Sequence, residues 1–395
     1  MKVVPGGVCA PQGFFANGLH CGIKYKNKDL ALIYSRVPCQ ACGVLTQNRV
    51  QAAPVIFTRK QLKSNLAQAI IANSGNANCC TGEQGLSNAI RICRKTAREL
   101  NISEKHILTA STGIIGKQLP VETIEAAIPL LTAHLKRSGS LAAAEAIMTT
   151  DTAPKQMAVQ FKSGNSELKI GAIAKGCGML APNLATMLVF ITTDAALNND
   201  DFKPALQEAV DNSFNIITVD GDTSTNDMVL ALANGLAGAA PLQGADLQNF
   251  KEALNFLCIS LAKMLIRDAE GGTKFIEIHV EQAKCIAQAK RVAFKVANSP
   301  LVKTAFFGEN PNWGRIAASI GAADRNIHQE KVVIYIGKEK VMEKGAGCAA
   351  SQQRLNTLLK KKNILIKIGL GMGDARATVF TSDLSYKYVQ INAEY

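Results

Sequence analysis

The stretch Lys175-Gly-Cys-Gly-Met-Leu-Ala-Pro-Asn-Leu-Ala-Thr-Met-Leu188 gathers residue types suited to nucleophilic chemistry. A glycine-punctuated loop passes Pro182 and Asn183 and changes character at Thr186. From there Thr186-Met-Leu-Val-Phe-Ile191 is a bounded apolar run of the kind that forms a buried strand. Cutting the Ala185–Thr186 bond would make Thr186 a new N-terminus, with its own α-amine as base for its hydroxyl. Such an amine titrates at about 7.7–8.0, close to the pH at which a general base works best. The same residues also fit a loop that enters a core strand and uses the threonine only to hydrogen-bond the backbone.

Other catalytic arrangements find less support. His20, His106, His134, His279 and His328 are isolated, and none stands in a nucleophile or metal motif. Gly113 and Gly116 permit unusual dihedrals and close backbone approach. A turn there could aim an N–H at a developing oxyanion with the Thr112 hydroxyl as second donor, or be a tight turn and nothing more. Cys39-Gln-Ala-Cys42 has redox or half-zinc spacing, but no second pair or histidine cluster completes it. Asp220-Gly-Asp222 with Asn226-Asp227 is densely acidic, yet it lacks the calcium-loop spacing and its terminal glutamate. Structural hydrogen bonding is the expectation there, and no metal is expected anywhere.

The elements that must position these residues alternate between strand and helix. Leu30–Ile33, Ala53–Phe57, Ala67–Ala72, Ile107–Ser111 and Leu168–Ala174 read as strands. The Ala67–Ala72 run delivers the chain into the polar loop Asn73-Ser-Gly-Asn-Ala-Asn78. Leu86, Ile90, Cys93, Ala97 and Leu100 share one helical face, and Val121 to Lys136 repeats the pattern. A short helix at Ser140–Ala146 leads into Met148-Thr-Thr-Asp-Thr152. The strands flanking the central loop would bring Lys175 and Thr186 to one sheet end. Asp200 or Asp201 could cap a helix with Pro204 in its first turn. The run Leu247, Phe250, Leu254, Leu257, Leu261 and Met264 predicts a long helix, with Glu270 just past its end. From about 275 strand-like runs (Phe275–Val280, Val332–Ile336, Ile364–Ile368) alternate with shorter helices. The expected organisation is a core over residues 1–280 and a smaller C-terminal α/β lobe over 281–395.

Composition sets limits. The 47% hydrophobic content of 395 residues supports a sizeable core. No run approaches the ~18 apolar residues of a membrane span, and Met1-Lys-Val-Val-Pro-Gly-Gly lacks a signal-peptide core. A cytoplasmic location is expected, with the eleven cysteines mostly buried thiols. The net charge of +13 raises nucleic-acid binding, but aromatics make up only 5% and no binding module is recognisable. Solvated lysine faces explain the charge, and a positive field would also draw in an anionic amino acid.

The central stretch resembles the processing site of the ornithine acetyltransferase family, also called glutamate N-acetyltransferase, of arginine biosynthesis. Also similar to that family are Asn73-Ser-Gly-Asn-Ala-Asn78 with Thr81-Gly82, Ser111-Thr-Gly-Ile-Ile-Gly116 and Thr150-Asp-Thr152. So are Val219–Asp227, Glu270-Gly-Gly-Thr-Lys274, Pro311-Asn-Trp-Gly-Arg315 and Tyr388–Tyr395, in family order. The resemblance implies an α/β fold, a layered sandwich of mixed sheets flanked by helices. It implies self-cleavage between Ala185 and Thr186 into chains 1–185 and 186–395, and an α2β2 assembly. The activity implied is transfer of acetyl from N2-acetylornithine to glutamate through an acetyl-Thr186 intermediate, without a cofactor. Acetyl-CoA is a further candidate donor.

By the same resemblance Thr112 and Gly113 form the oxyanion hole, and Thr152, Lys175, Thr186, Glu270 and Asn392 contact substrate. Lys175 and Asn392 suit an α-carboxylate, and Glu270 an ammonium. Residues Val389–Asn392 are expected to form a final strand. The family commonly continues past this tyrosine to a terminal Ser or Thr, so ending at Tyr395 predicts weaker substrate binding. Asn310 stands where aspartate is common, and Cys177 replaces another small residue. The rival readings are a self-cleaving aminopeptidase of the same architecture and a non-catalytic basic binding protein.

Overall fold

The computed structural model describes residues 1–164, 166–179, 181, 187–238 and 240–394. Two compact units make up the chain, Met1–Asn215 with Asp222–Leu265, and Ile216–Gly221 with Ile266–Tyr395. Both are α/β.

Strands in the first part of the chain are β1 (Lys2–Val4), β2 (Phe14–Leu19), β3 (Leu30–Leu45), β4 (Leu66–Asn76) and β5 (Ile107–Ile114). They continue with β6 (Lys155–Ser163), β7 (Ser166–Lys175), β8 (Leu188–Thr193), β9 (Ile217–Thr218) and β10 (Met228–Ala233). All but β9 form the mixed sheet of the first unit, ordered β1-β6-β7-β8-β10-β3-β4-β5, with β2 paired to β3. The β8–β10 and β4–β5 pairs are parallel. Helices α1 (Ala53–Gln61), α2 (Gly82–Leu100), α3 (Val121–Ala133), α4 (Ser140–Ile147), α5 (Asn199–Asp211) and α6 (Gly244–Arg267) accompany it.

Every residue of β8 and of β10 is buried, so neither strand alternates between apolar and charged residues. Their Phe190, Leu230 and Leu232 pack with Ile173 and with Ala143, Ala144 and Ile147 of α4. The antiparallel register of β7 and β8 sets Lys175 opposite Leu188. The end of β7 and the start of β8 are therefore adjacent, as the sequence predicted for that loop. Ala185 and Thr186 themselves lie outside the described residues.

The second unit contains β9 with β11 (Phe275–Ala283), β12 (Val333–Ile336), β13 (Glu339–Glu343), β14 (Ala346–Gly347), β15 (Asn363–Gly369) and β16 (Ala375–Ser382). Their order is β14-β13-β12-β15-β11-β16-β9. Helices α7 (Ile286–Ala297), α8 (Pro300–Phe307), α9 (Trp313–Gly321), α10 (Gln352–Leu359) and α11 (Tyr386–Glu394) complete it. Ile276, Ile278 and Val280 of β11 share a core with Val292, Ile334, Ile366 and Val379. This central role of β11 is why the division falls at Leu265/Ile266 and not near 280.

Several local expectations change. Ala53–Phe57 opens α1 rather than forming a strand, because Pro54 sits in the first turn, where its missing N–H costs nothing. Val389–Asn392 is part of α11, not a strand; the Ser385 hydroxyl accepts the Lys387 N–H at its start. The buried stripe of α2 is Gly85, Asn88, Ala89, Ile92, Cys93, Thr96 and Ala97, while Leu86 is exposed. Smaller residues on that face let the helix lie close to its neighbours. The α3 helix ends at Ala133, short of Lys136. In α5 the N-cap is Asn198, with Asp200 and Asp201 in the first turn, where negative charge favours the helix dipole.

No described helix is long and apolar enough to cross a membrane. Lys331, Lys338, Lys344, Lys360, Lys361, Lys362 and Lys367 are exposed, as solvated lysine faces require.

Candidate active site

Thr112 and Gly113 stand near the end of β5, whose parallel register with β4 pairs Ser74 with Thr112 and Gly75 with Gly113. The approach is too close for a side chain. A Cβ on Gly113, whose φ is +132°, would lie 2.4 Å from the Gly75 carbonyl carbon and 2.5 Å from the Asn76 nitrogen. A network of amides pins this strand end. Ser111 Oγ donates to Asn73 Oδ1 at 2.6 Å, and Asn73 Nδ2 donates to the Asn76 carbonyl at 2.8 Å. Asn226 Nδ2 donates to the carbonyls of Ser111 at 2.8 Å and Ala77 at 2.6 Å. The stretch expected as a polar loop is strand as far as Asn76, and with the 222–227 segment it holds the backbone that carries Thr112 and Gly113.

Lys175, at the last position of β7, is 1% exposed. Its ammonium donates to Thr149 Oγ1 at 2.8 Å and to Thr112 Oγ1 at 3.3 Å. Because Thr112 Oγ1 accepts from Lys175, its own hydrogen is left to point elsewhere, as an oxyanion donor requires. Beside it the buried Asp151 accepts the Gly176 N–H at 2.8 Å, the Lys155 ammonium at 2.7 Å and the Thr149 N–H at 3.0 Å. Burial alone would raise the Asp151 carboxyl. The Lys175 and Lys155 charges, with the bonds from Lys155 and Gly176, outweigh it and hold the pKa at about 2. Asp151 stays ionised and ties the segment at 149–151 to the loop that begins at Gly176. Thr150 Oγ1 lies 3.0 Å from Cys177 Sγ, and Thr152 is exposed just beyond Asp151.

Asp227 is fully buried and accepts the Met187 N–H at 2.8 Å, immediately before β8. The acidic segment therefore serves hydrogen bonding. Among the described residues no group of His, Cys, Asp or Glu side chains could hold a metal ion.

The second unit contains the other two predicted residues. Asn392 Nδ2, on α11, donates to Glu270 Oε2 at 2.8 Å and to the Tyr388 carbonyl at 3.0 Å. The loop bearing Glu270 is stitched in place by Asp383, which accepts the N–H groups of Thr273 at 2.7 Å and Lys274 at 2.8 Å. Ser385 Oγ donates to the Gly271 carbonyl at 2.6 Å. At Gly271, with φ +65°, a Cβ would come within 2.6 Å of the Tyr388 nitrogen.

In the first unit the structure brings together Thr112, Gly113 and Lys175; in the second it joins Glu270 to Asn392. Sequence reasoning did not single out Thr149, Asp151 or Lys155. Asp151 lay within the motif Thr150-Asp-Thr152, but only Thr152 was drawn from it.

Comparison with known proteins bears on this arrangement. The ArgJ family model matches residues 15–395. The chain belongs to the ArgJ family. Proteins named arginine biosynthesis bifunctional protein ArgJ are similar to it end to end. That of Symbiobacterium thermophilum is 46% identical over 400 residues, covering 100% of both chains. That of Listeria monocytogenes is 44% identical over 399 residues with the same coverage. A solved structure of ornithine acetyltransferase from Mycobacterium tuberculosis, complexed with ornithine, is 34% identical over 47% of this chain and 99% of that one, with a TM-score of 0.43. The resemblance drawn from the motifs and the family match agree, and the ArgJ assignment displaces the aminopeptidase and basic binding-protein readings.

Proposed function

We propose that this ArgJ-family chain is a self-cleaving acetyltransferase that moves acetyl from N2-acetylornithine to glutamate. In the precursor the Thr186 hydroxyl attacks the Ala185 carbonyl, the peptide C–N bond breaks, and an ester forms. Water hydrolyses that ester, releasing the Ala185 carboxylate and leaving a free α-amine on Thr186. The amine then takes the hydroxyl proton as Thr186 Oγ attacks the acetyl carbonyl of the donor. The tetrahedral oxyanion is held by the Thr112 hydroxyl and the Gly113 N–H. Ornithine departs with the proton, and the amine of glutamate attacks acetyl-Thr186 to complete a ping-pong cycle.

The observation that carries this reading is the convergence of Thr112, Gly113 and Lys175 at the sheet end where β7 stops and β8 begins one residue after Met187. Lys175 suits the substrate α-carboxylate, and Glu270 an ammonium group. Thr152 is a further proposed contact, and Asn392 acts through the Glu270 carboxylate to which it donates. No cofactor is required by this chemistry. Acetyl-CoA is proposed as a second donor, in keeping with the word bifunctional in the relatives' names. Two 1–185 and two 186–395 chains are proposed to assemble as α2β2, in the cytoplasm.

The test has two parts. Purified protein should run as two bands on a denaturing gel, and N-terminal sequencing of the second should return Thr-Met-Leu-Val. A different start sinks the amine-base mechanism. Glutamate is then supplied with N-acetylornithine or with acetyl-CoA, and N-acetylglutamate is measured. Absence of transfer from N-acetylornithine overturns the function.

A further inference from the structure

Residues 20–28 have no part in the scheme above, yet this loop is tightly built. Its organiser is Asp29, which is 0% exposed. One carboxylate accepts four successive backbone N–H groups, from Cys21 at 2.6 Å, Gly22 at 3.2 Å, Ile23 at 2.8 Å and Lys24 at 2.9 Å. Such a nest fixes the loop backbone and, with it, the origin of the Lys24 side chain.

Lys24 reaches the strand end already described. Its ammonium donates to the carbonyls of Met148 and, at 3.0 Å, Lys28. Its methylenes cover Gly75, where an added Cβ would lie 3.0 Å from Lys24 Cγ. Gly75 is the register partner of Gly113. Met148 directly precedes Thr149, whose hydroxyl receives the Lys175 ammonium. Two lysines from distant parts of the chain therefore attach to consecutive residues beside Thr112 and Gly113.

Among the described residues Lys24 feels the charges of Asp29, Lys175 and Asp151, and both carboxylates are already engaged by backbone N–H groups. Burial and the Lys175 charge lower the Lys24 pKa to about 8 against the pull of Asp29 and Asp151. A half-buried ammonium has three donors, and carbonyls occupy two of those on Lys24. An ammonium desolvated in this way gains more than an exposed one from pairing with an arriving anion.

We propose that Lys24 acts with Lys175 in binding the α-carboxylate that N-acetylornithine and glutamate share. The role rests on the acetyltransferase reading for the identity of the substrate, and on the lysine pair for the chemistry of the ligand. A carboxylate bound by both ammonium groups receives two charge-assisted bonds, and an uncharged α-amide receives them poorly.

The test compares wild type with Lys24→Met and Lys24→Arg, each first checked for normal cleavage. Calorimetry measures binding of ornithine and of its α-amide; steady-state assays measure transfer to glutamate. Wild type should prefer the acid over the amide, and Lys24→Met should lose about ten- to hundred-fold in affinity for the acid and little for the amide. KM for both substrates should rise more than kcat falls, and Lys24→Arg should recover part of the affinity. Equal acid-over-amide preference in Lys24→Met, or a fall in kcat with binding intact, overturns the proposal. Ornithine binding that depends on Lys24 without acetyl transfer by wild type would keep the carboxylate site and sink the transferase reading instead.

Discussion

Asp227 Oδ1 accepts the backbone N–H of Met187 at 2.8 Å, while its Oδ2 has no hydrogen-bond partner among the described residues. Burial pushes the pKa of this carboxyl well above the usual range, against the opposing pull of the Met187 N–H, the Lys175 charge and Ser224. A carboxylate with one bare oxygen in the interior would be far costlier than a neutral acid. The direction of that shift favours the neutral acid at this position. The backbone just before β8 is held by this buried side chain, at the residue that follows Thr186 in sequence.

Asp227→Asn should accordingly be tolerated. The amide keeps an acceptor for Met187 and offers N–H where the acid offers O–H. Cleavage and turnover within a few-fold of wild type are expected, by gel and acetyl-transfer assay. Asp227→Leu leaves the Met187 N–H unpaired and should cost about 1–3 kcal/mol of stability. An inactive Asn variant with an unchanged melting temperature would mean that the group works as an anion.

Thr112→Ala should slow both maturation and transfer, because one oxyanion hole serves both reactions. Loss of one such donor lowers kcat by about 100- to 1000-fold. Thr112→Ser keeps the hydroxyl that Lys175 contacts and should retain most activity. Gly113→Ala is expected to be worse than either, since its Cβ would meet the Gly75 backbone at 2.4 Å. Normal cleavage and turnover in Thr112→Ala would remove that hydroxyl from the mechanism.

How much of this was legible beforehand depended on how local the cause was. The spacing of Phe250, Leu254, Leu257 and Leu261 foretold α6, since a helix buries one face whatever its partners. Thr112 and Gly113 were named only through the family resemblance; the residues alone suggested a tight turn, whereas β5 runs through both to Ile114. Asn392 was named but given the wrong element, because Val389-Gln-Ile-Asn392 suits a strand until the Ser385 hydroxyl starts a helix. Lys24, Lys155 and Asp151 could not be singled out. Among 44 Lys and Arg residues, a buried one differs only through tertiary partners such as Asp151 or the Met148 carbonyl.

Asp151 carries a pH signature. Its native pKa of about 2 lies below its ordinary value of 3.8, so the native state favours the ionised form. The resulting stability is fully present above about pH 4 and is lost as the pH falls through about 2, on the order of 2 kcal/mol in all. Asp151→Asn should therefore be less stable at neutral pH, with a flatter acid limb. Denaturant titrations from pH 7 to pH 2 measure this. Parallel curves for the two proteins would show that Asp151 is not the linked group.

The last prediction concerns Asn392, whose Nδ2 faces two acceptors, Glu270 Oε2 and the Tyr388 carbonyl. Both partners require donors, so the amide orientation is set and its N–H groups are occupied. A substrate carboxylate would have to displace one of them. The arrangement instead suits a positioning role, in which Asn392 aims Glu270 at an ammonium group. N-acetylornithine carries such a group on its side chain and glutamate does not. Asn392→Ala should therefore raise KM for N-acetylornithine more than KM for glutamate, by about ten-fold or more if one bond to a charged group is lost. The change should leave kcat nearly unaltered, since the bond matters equally before and during transfer. Asn392→Asp should be harsher for the donor substrate, because a second carboxylate beside Glu270 favours protonation of one of the two. Equal increases in KM for both substrates would instead assign Asn392 to their common α-carboxylate.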